Sequence, residues 1–235
     1  MYCATYGDVI QAYRPTNIDD LLAHELAASG IADGMTVLDA GCGVGGPALW
    51  FARRKDIFVE AITISGVQAE WAKAAVASAG LSQKIHVQQG DYHQIDRLFP
   101  AAHFDRVLFL ESLCHAEDYK RVLAGARHVL KPGGQIYIKD YVVPDFREDP
   151  EKQRALEEGL GAVAQEYNAA FPQRADFLRV LDELAFDLQS VQSTPLEEDP
   201  TDWYAFEDAL GFQWRKIASV RLMVNIEIVA SRPHA

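Results

Sequence analysis

The chain has 235 residues, 49% of them hydrophobic and 24% charged, a globular balance with enough length for one large core. Its formal charge of −12 argues against nucleic acid or an anionic membrane surface as the main partner, because both reward basic faces. No run approaches the ~20 apolar residues of a membrane span, and the first eight residues lack the basic-then-apolar order of a signal peptide. Three scattered cysteines, Cys3, Cys42 and Cys114, read as reduced thiols, so a cytoplasmic location is expected.

Residues 1–16 are rich in tyrosine (Tyr2, Tyr6, Tyr13) and contain Arg14-Pro15. Asn17 or Asp19 is placed to cap a helix that carries Leu21, Leu22 and Leu26 at helical spacing and ends near Gly30. Asp33-Gly34 turns into a first strand, which ends on Asp39 and runs into four glycines, Gly41, Gly43, Gly45 and Gly46. Residues 48–55 read as a helix, 57–64 as a second strand and 66–79 as an alanine-rich helix closed by Gly80. A third strand over 84–88 ends at Gly90-Asp91-Tyr92, and 104–110 is a nearly continuous apolar strand, the mark of cover on both faces. A helix over 118–130 is expected to stop at Lys131-Pro132-Gly133-Gly134, with a fifth strand over 135–143. The alternation then pauses for helices over 150–170 and 175–185. A strand over 187–194, an aromatic helix opening at 199–202 and a closing strand over 220–230 follow. The pattern predicts an α/β fold: a doubly wound, mostly parallel seven-stranded sheet with right-handed crossovers and an antiparallel edge.

Gly41, Gly43 and Gly46 satisfy G-x-G-x-x-G, so a dinucleotide site has to be weighed. Asp39 at the strand tip would repel a pyrophosphate, and the second strand ends on Thr63 where a dinucleotide ribose usually finds an acidic partner. A ligand with an amine and a cationic centre would instead be drawn to Asp39.

Asp39-Ala40-Gly41-Cys42-Gly43-Val44-Gly45 matches the D-x-G-x-G-x-G loop of the class I S-adenosylmethionine-dependent methyltransferases, which the chain resembles over residues 35–143. The resemblance implies a Rossmann-like sheet holding S-adenosylmethionine and releasing S-adenosylhomocysteine. It implies cofactor contacts from Asp39, Gly41, Gly43 and Gly45, with Gly90-Asp91-Tyr92 as an adenine clamp. The form Ile62-Thr63-Ile64-Ser65 followed by Gln68 is similar to cyclopropane-fatty-acid synthases and prenyl diphosphate C-methyltransferases, which adds Thr63, Ile64 and Gln68 to those contacts. One domain over 1–235 is expected, with an N-terminal lid over 1–33, a cofactor-binding core over 35–143, an inserted helical lid over 145–172 and core completion over 173–235.

The acceptor should be met at the end of the fourth strand, where open α/β sheets place ligands and where the sequence reads Glu111-Ser112-Leu113-Cys114-His115. This segment resembles that of the C-methyltransferases acting on sterol side chains, and of their relatives that methylate geranyl or isopentenyl diphosphate. The resemblance implies methylation of an alkene, a tertiary carbocation, and proton loss to Glu111 with His115 assisting. Burial would raise the pKa of Glu111 and fit it for proton transfer. A carbocation needs a dry pocket with aromatic walls, and Tyr6, Tyr13, Tyr167, Phe171 and Trp203 lie in the lid segments, with Arg14 a candidate for a diphosphate. The expected partner is a small isoprenoid; the compact length and alanine-rich composition favour a prenyl diphosphate, with a sterol as an alternative. Mg2+ could bridge that diphosphate, although no resident metal site has convincing spacing. A homodimer is compatible with this reading. N- or O-methylation of a small natural product stays open, since orientation alone can drive transfer to a good nucleophile, and so does a scaffold without catalysis.

Overall fold

A computed structural model describes residues 18–143, 146, 148–167, 171–195 and 224–234. In chain order these form α1 (Ile18–Ala28), β1 (Thr36–Ala40), α2 (Gly46–Arg54), β2 (Phe58–Thr63), α3 (Gly66–Ser78), β3 (Ile85–Gln89), α4 (Ile95–Leu98) and β4 (Phe104–Leu110). There follow α5 (Tyr119–Val129), β5 (Leu130–Val142), α6 (Pro150–Tyr167), α7 (Arg174–Glu183), β6 (Asp187–Pro195) and β7 (Val224–Ser231). The sheet runs β3-β2-β1-β4-β5-β7-β6, parallel except where β7 pairs antiparallel with β5 and β6. The predicted doubly wound sheet and its antiparallel edge are both present.

Two cores explain why the inner strands are apolar on both sides. On one face Leu38, Val107 and Phe109 pack with Val122 and Leu123 of α5 and Phe177 and Leu181 of α7. On the other, Val37, Ala61 and Leu108 pack with Leu22 of α1, Phe51 of α2 and Ala72 of α3. Alternate strand residues therefore enter opposite apolar layers, which leaves no solvent face to be polar.

The strand order reverses between β1 and β4, which are parallel neighbours. Their carboxyl ends define the crevice where open sheets of this type take ligands. Val143 bridges Gln173, its amide donating to the Pro172 carbonyl at 2.9 Å, which returns the backbone after α6 to the same edge.

One local expectation is corrected. Lys131-Pro132-Gly133-Gly134 is not a break before β5 but a bulge inside it. Phe104 pairs with Leu130 and Arg106 with Gln135, so residues 131–134 face Asp105 alone. Gly133 takes φ of 77°, which lets the extra residues fold out while the ladder continues. Short 3₁₀ turns form after β3 at Tyr92–Gln94, where α4 follows, and after β4 at Leu113–His115. The aromatic helix expected from 199 lies outside the described residues. Among the described residues, no helix is long and apolar enough to cross a membrane.

Candidate active site

The loop after β1 is held against the loop after β4. The amides of Gly41 and Cys42 donate to the Ile62 carbonyl at 2.9 and 2.8 Å, and Ser112 Oγ donates to the Ala40 carbonyl at 2.7 Å. Gly41 sits at φ 94°, and a Cβ there would stand 2.5 Å from Ser112 Cβ, so only glycine fits this approach. Gly43 and Gly45 also take positive φ, and Gly45 starts α2 from the left-handed region with Pro47 in its first turn.

Asp39 lies beneath this loop at 2% exposure, and its Oδ2 has no hydrogen-bond partner among the described residues. Burial pushes its pKa up to about 7. The sequence reading treats Asp39 as a fixed negative charge; in the fold it is poised to ionise when a cation or N–H donor arrives. An orphaned buried carboxylate oxygen and a cradle without Cβ atoms are what an amine-bearing cofactor requires.

The β2 tip brings Thr63 and Gln68 together. Thr63 is 3% exposed and its hydroxyl donates to Gln68 Oε1 at 2.8 Å. Ser65 caps α3 by accepting from the Gln68 amide at 3.3 Å. Ile64 is 70% exposed, beside exposed Val67 and Trp71. Asp91 caps the Tyr92–Gln94 turn, accepting from the His93 amide at 2.9 Å with the His93 ring nitrogen 2.7 Å away. Burial opposes its ionisation, but these contacts outweigh it and hold the carboxyl below its ordinary range. Tyr92 donates its hydroxyl to the Ser112 carbonyl at 2.9 Å, so it braces the β4 loop.

Glu111 follows β4 directly and takes φ of 52°, a left-handed conformation uncommon outside glycine. Its amide donates to the Lys139 carbonyl at 2.7 Å, and Lys139 Nζ lies 2.5 Å from its Oε1. The two side chains are 5% and 1% exposed. Glu111 Oε2 has no partner at hydrogen-bond geometry among the described residues, while the Tyr141 side chain donates towards the same carboxyl group and helps to lower its pKa. Burial pushes the Glu111 pKa up while the Lys139 ammonium pulls against it. For Lys139, burial disfavours the charge, but the carboxylates of Glu111 and Glu25 prevail and raise its pKa. His115 stands at the end of the turn Leu113–His115, which Asp140 holds: its Oδ2 accepts from the amides of Leu113 at 2.7 Å and Cys114 at 3.2 Å.

Phe171 is half-buried beside the Val143–Gln173 bridge, at the same edge of the sheet. Tyr167 is the last residue of α6. Tyr6, Tyr13, Arg14 and Trp203 lie outside the described residues. No group of three or more His, Cys, Asp or Glu suited to a metal occurs among the described residues. The sequence reading missed Lys139, Asp140 and Ser112 as site-forming residues. A lysine and an aspartate inside an otherwise apolar strand were the available signal.

With its strand order reversing at a glycine loop above a buried acid, the chain resembles the class I S-adenosylmethionine-dependent methyltransferases, and residues 38–138 match the family model described as a methyltransferase domain. In sequence the protein is similar to the sterol 24-C-methyltransferase of Eremothecium gossypii, at 32% identity over 187 residues, covering 78% of this chain and 48% of that one. It spans between about a third and a half of the length of the curated relatives it matches. In structure it is similar to the geranyl diphosphate C-methyltransferase of Streptomyces coelicolor A3(2), solved with Mg2+, geranyl diphosphate and S-adenosyl-L-homocysteine. The TM-score there is 0.77 at 18% identity, covering 91% of this chain and 80% of that one. The [4+2]-cyclase SpnF is similar at a TM-score of 0.74 and 20% identity, covering 93% and 82%. At such identities the likeness concerns the fold alone, and the cyclase illustrates how far chemistry diverges on it.

Proposed function

We propose that the protein is an S-adenosylmethionine-dependent C-methyltransferase that methylates an alkene carbon of an isoprenoid, a prenyl diphosphate such as isopentenyl or geranyl diphosphate. The observation that carries this reading is Glu111, a buried, strained acid at the β4 tip with one carboxylate oxygen engaged by Lys139 and the other without a partner at hydrogen-bond geometry among the described residues. Methylation of an amine or phenol needs little beyond orientation, whereas methylation of an alkene leaves a cation that must lose a proton in a dry place.

When bound, S-adenosylmethionine supplies an electrophilic methyl group on a sulfonium. Asp39, Thr63, Ile64, Gln68, Asp91, Tyr92 and the backbone at Gly41, Gly43 and Gly45 are the residues that would hold it. Glu111 Oε2 takes the proton from the carbon next to the cationic centre, and the C–H electron pair becomes the new double bond. Lys139 keeps Glu111 ionised before that step, and Asp140 orients the turn that presents His115 to the same space. Tyr167 and Phe171, with Tyr6, Tyr13, Arg14 and Trp203, are assigned to the substrate. Mg2+ would accompany a diphosphate head group. The domain partition, the cytoplasmic location and a homodimer belong to the same proposal.

A sterol substrate is the second reading, favoured by the 32% identity to a sterol 24-C-methyltransferase. Incubation with methyl-labelled S-adenosylmethionine and a panel of isopentenyl, dimethylallyl, geranyl and farnesyl diphosphates, with and without Mg2+, beside a Δ24 sterol, separates the two. Label in a prenyl product supports the first reading and label in the sterol the second. Label only in amines or phenols overturns both.

A further inference from the structure

The charge beneath Glu111 continues away from the acceptor pocket. Lys139 on β5 is the register partner of Glu227 on β7, so the two side chains leave the same face of the sheet at cross-strand distance. Glu227 is 7% exposed, and its Oε2 lies 2.8 Å from Nε2 of His24 on α1. The His24 side chain is 34% exposed and reaches solvent. Glu25, the next residue of α1, is 3% exposed and lies within electrostatic reach of Lys139, Glu111, Glu227 and Asp39. Among the described residues, these six ionisable side chains form one connected layer under α1: four carboxylic acids, one ammonium and the His24 imidazole.

An apolar layer would serve stability at least as well, since buried ion pairs seldom repay the loss of hydration. The arrangement has a different property: it joins a buried acid to the surface through groups that exchange protons. We propose that Lys139, Glu227 and His24 form the route by which the proton collected at Glu111 leaves for solvent.

The inference rests on the reading that Glu111 accepts a proton in each turnover. Once protonated, Glu111 gives that proton to Lys139 as the ammonium passes one of its own to the Glu227 carboxylate, so Lys139 ends the step unchanged. Glu227 then delivers its proton to His24 Nε2, and His24 releases one to water. No electron moves, and the net change is one proton transferred from the pocket to solvent. Facing this route are Glu25 from α1, Asp39 from β1 and Asp140 beside Lys139; Glu25 holds its proton near neutrality and so adds no fixed negative charge to trap the one in transit. Lys139, Glu227 and His24 are positioning and relay residues that touch no substrate.

The test uses the full protein with Glu227→Gln, which keeps shape, and His24→Gln at the partly exposed end, where folding is least at risk. His86→Gln is the control, because His86 pairs with Glu60 at 2.6 Å on β2 and β3, away from this layer. In a single turnover with labelled cofactor and a pH-indicator dye, methyl transfer should be unchanged in both variants. Proton appearance in solution and steady-state turnover should fall about 100-fold, the lower reach of one proton-transfer group. Added imidazole should restore turnover in His24→Gly. Proton release in step with transfer in both variants would overturn the route. If the wild-type protein methylates no alkene, the proposed function fails, and the route is judged on the free protein by infrared spectroscopy. At a pH low enough to protonate Glu111 in the free protein, the carboxyl band lost in Glu111→Gln should exchange with D2O about 100-fold more slowly in Glu227→Gln than in the wild type. Equal exchange rates would sink the proposal.

Discussion

Glu111 and Lys139 are 28 residues apart in sequence and meet as a 2.5 Å ion pair with side chains 5% and 1% exposed. Breaking such a pair from one side strands the other charge, which costs about 3–5 kcal/mol. Lys139→Met should lose that much in chemical denaturation, because Glu111 and Glu227 are left without their cation. Glu111→Gln should lose less, since Lys139 keeps the Glu227 carboxylate. The double variant should cost less than the sum of the singles, and strict additivity would remove the coupling.

The same acid carries the chemistry. Glu111→Gln should bind S-adenosylmethionine with unchanged affinity by calorimetry while turnover falls by at least ~100-fold, the usual reach of one acid or base. Unchanged turnover would take Glu111 out of the mechanism and favour methylation of a nitrogen or oxygen.

Glu25 and Asp39 set an unusual pH dependence. Burial raises Glu25 from 4.5 to about 8, with Lys139 pulling the other way and the neighbouring acids adding to the rise, and raises Asp39 from 3.8 to about 7. In the folded protein both keep protons that the unfolded protein has already lost, so folding takes up protons across that range. Their contribution is present at low pH and is lost as pH rises towards 7 for Asp39 and 8 for Glu25. Each unit is worth about 1.4 kcal/mol. Glu25→Gln should therefore raise the Tm at pH 8 and leave it nearly unchanged at pH 4.5. A Tm gain that is the same at both values would contradict a protonated Glu25.

Much of this was readable from the sequence. The 104–110 run announces a strand covered on both faces, and Phe104, Val107 and Phe109 are indeed fully buried. The glycine loop locates the crevice, whereas the bond between Thr63 and Gln68 was not anticipated. The ion pair was not readable, because Glu111 and Lys139 are joined only by the parallel register of β4 and β5. Nor was the bulge at 131–134, where Pro-Gly-Gly looks like a stop until Lys131 is seen bonded to Asp105 at 2.8 Å. Local pattern reports periodicity and turns; the partner of a buried charge is set by strand order.

Two glycines with similar backbone should respond differently to alanine. Gly34 takes φ of 84° with nothing within 4 Å of a built Cβ, so Gly34→Ala bears only the left-handed penalty of about 1–2 kcal/mol. Gly41 at φ 94° adds a 2.5 Å clash with Ser112 Cβ, which is pinned by its bond to the Ala40 carbonyl. Gly41→Ala should push the β1 and β4 loops apart and abolish cofactor binding in calorimetry, while Gly34→Ala retains it. Equal affinity in the two variants would separate this loop from the cofactor.

Thr63 offers a finer measure of the same site. Its hydroxyl proton is engaged by Gln68 Oε1, so Thr63 can present only an acceptor lone pair to a ligand, and Gln68 presents its amide N–H groups. An acid at this position would accept two hydroxyls at once; threonine and glutamine divide that work between a strand tip and a helix. Thr63→Val keeps the shape and removes both the lone pair and the bond that orients Gln68. One net hydrogen bond is worth about 0.5–1.5 kcal/mol, so the Kd for S-adenosylmethionine should rise roughly 3- to 10-fold. Ser65→Ala removes the cap of α3 instead and should lower stability by about 1 kcal/mol. Because Ser65 holds the Gln68 backbone rather than its side chain, the effect of Ser65→Ala on Kd should be smaller than that of Thr63→Val. The reverse order would mean that the helix start, and not the Thr63–Gln68 pair, is what the cofactor meets.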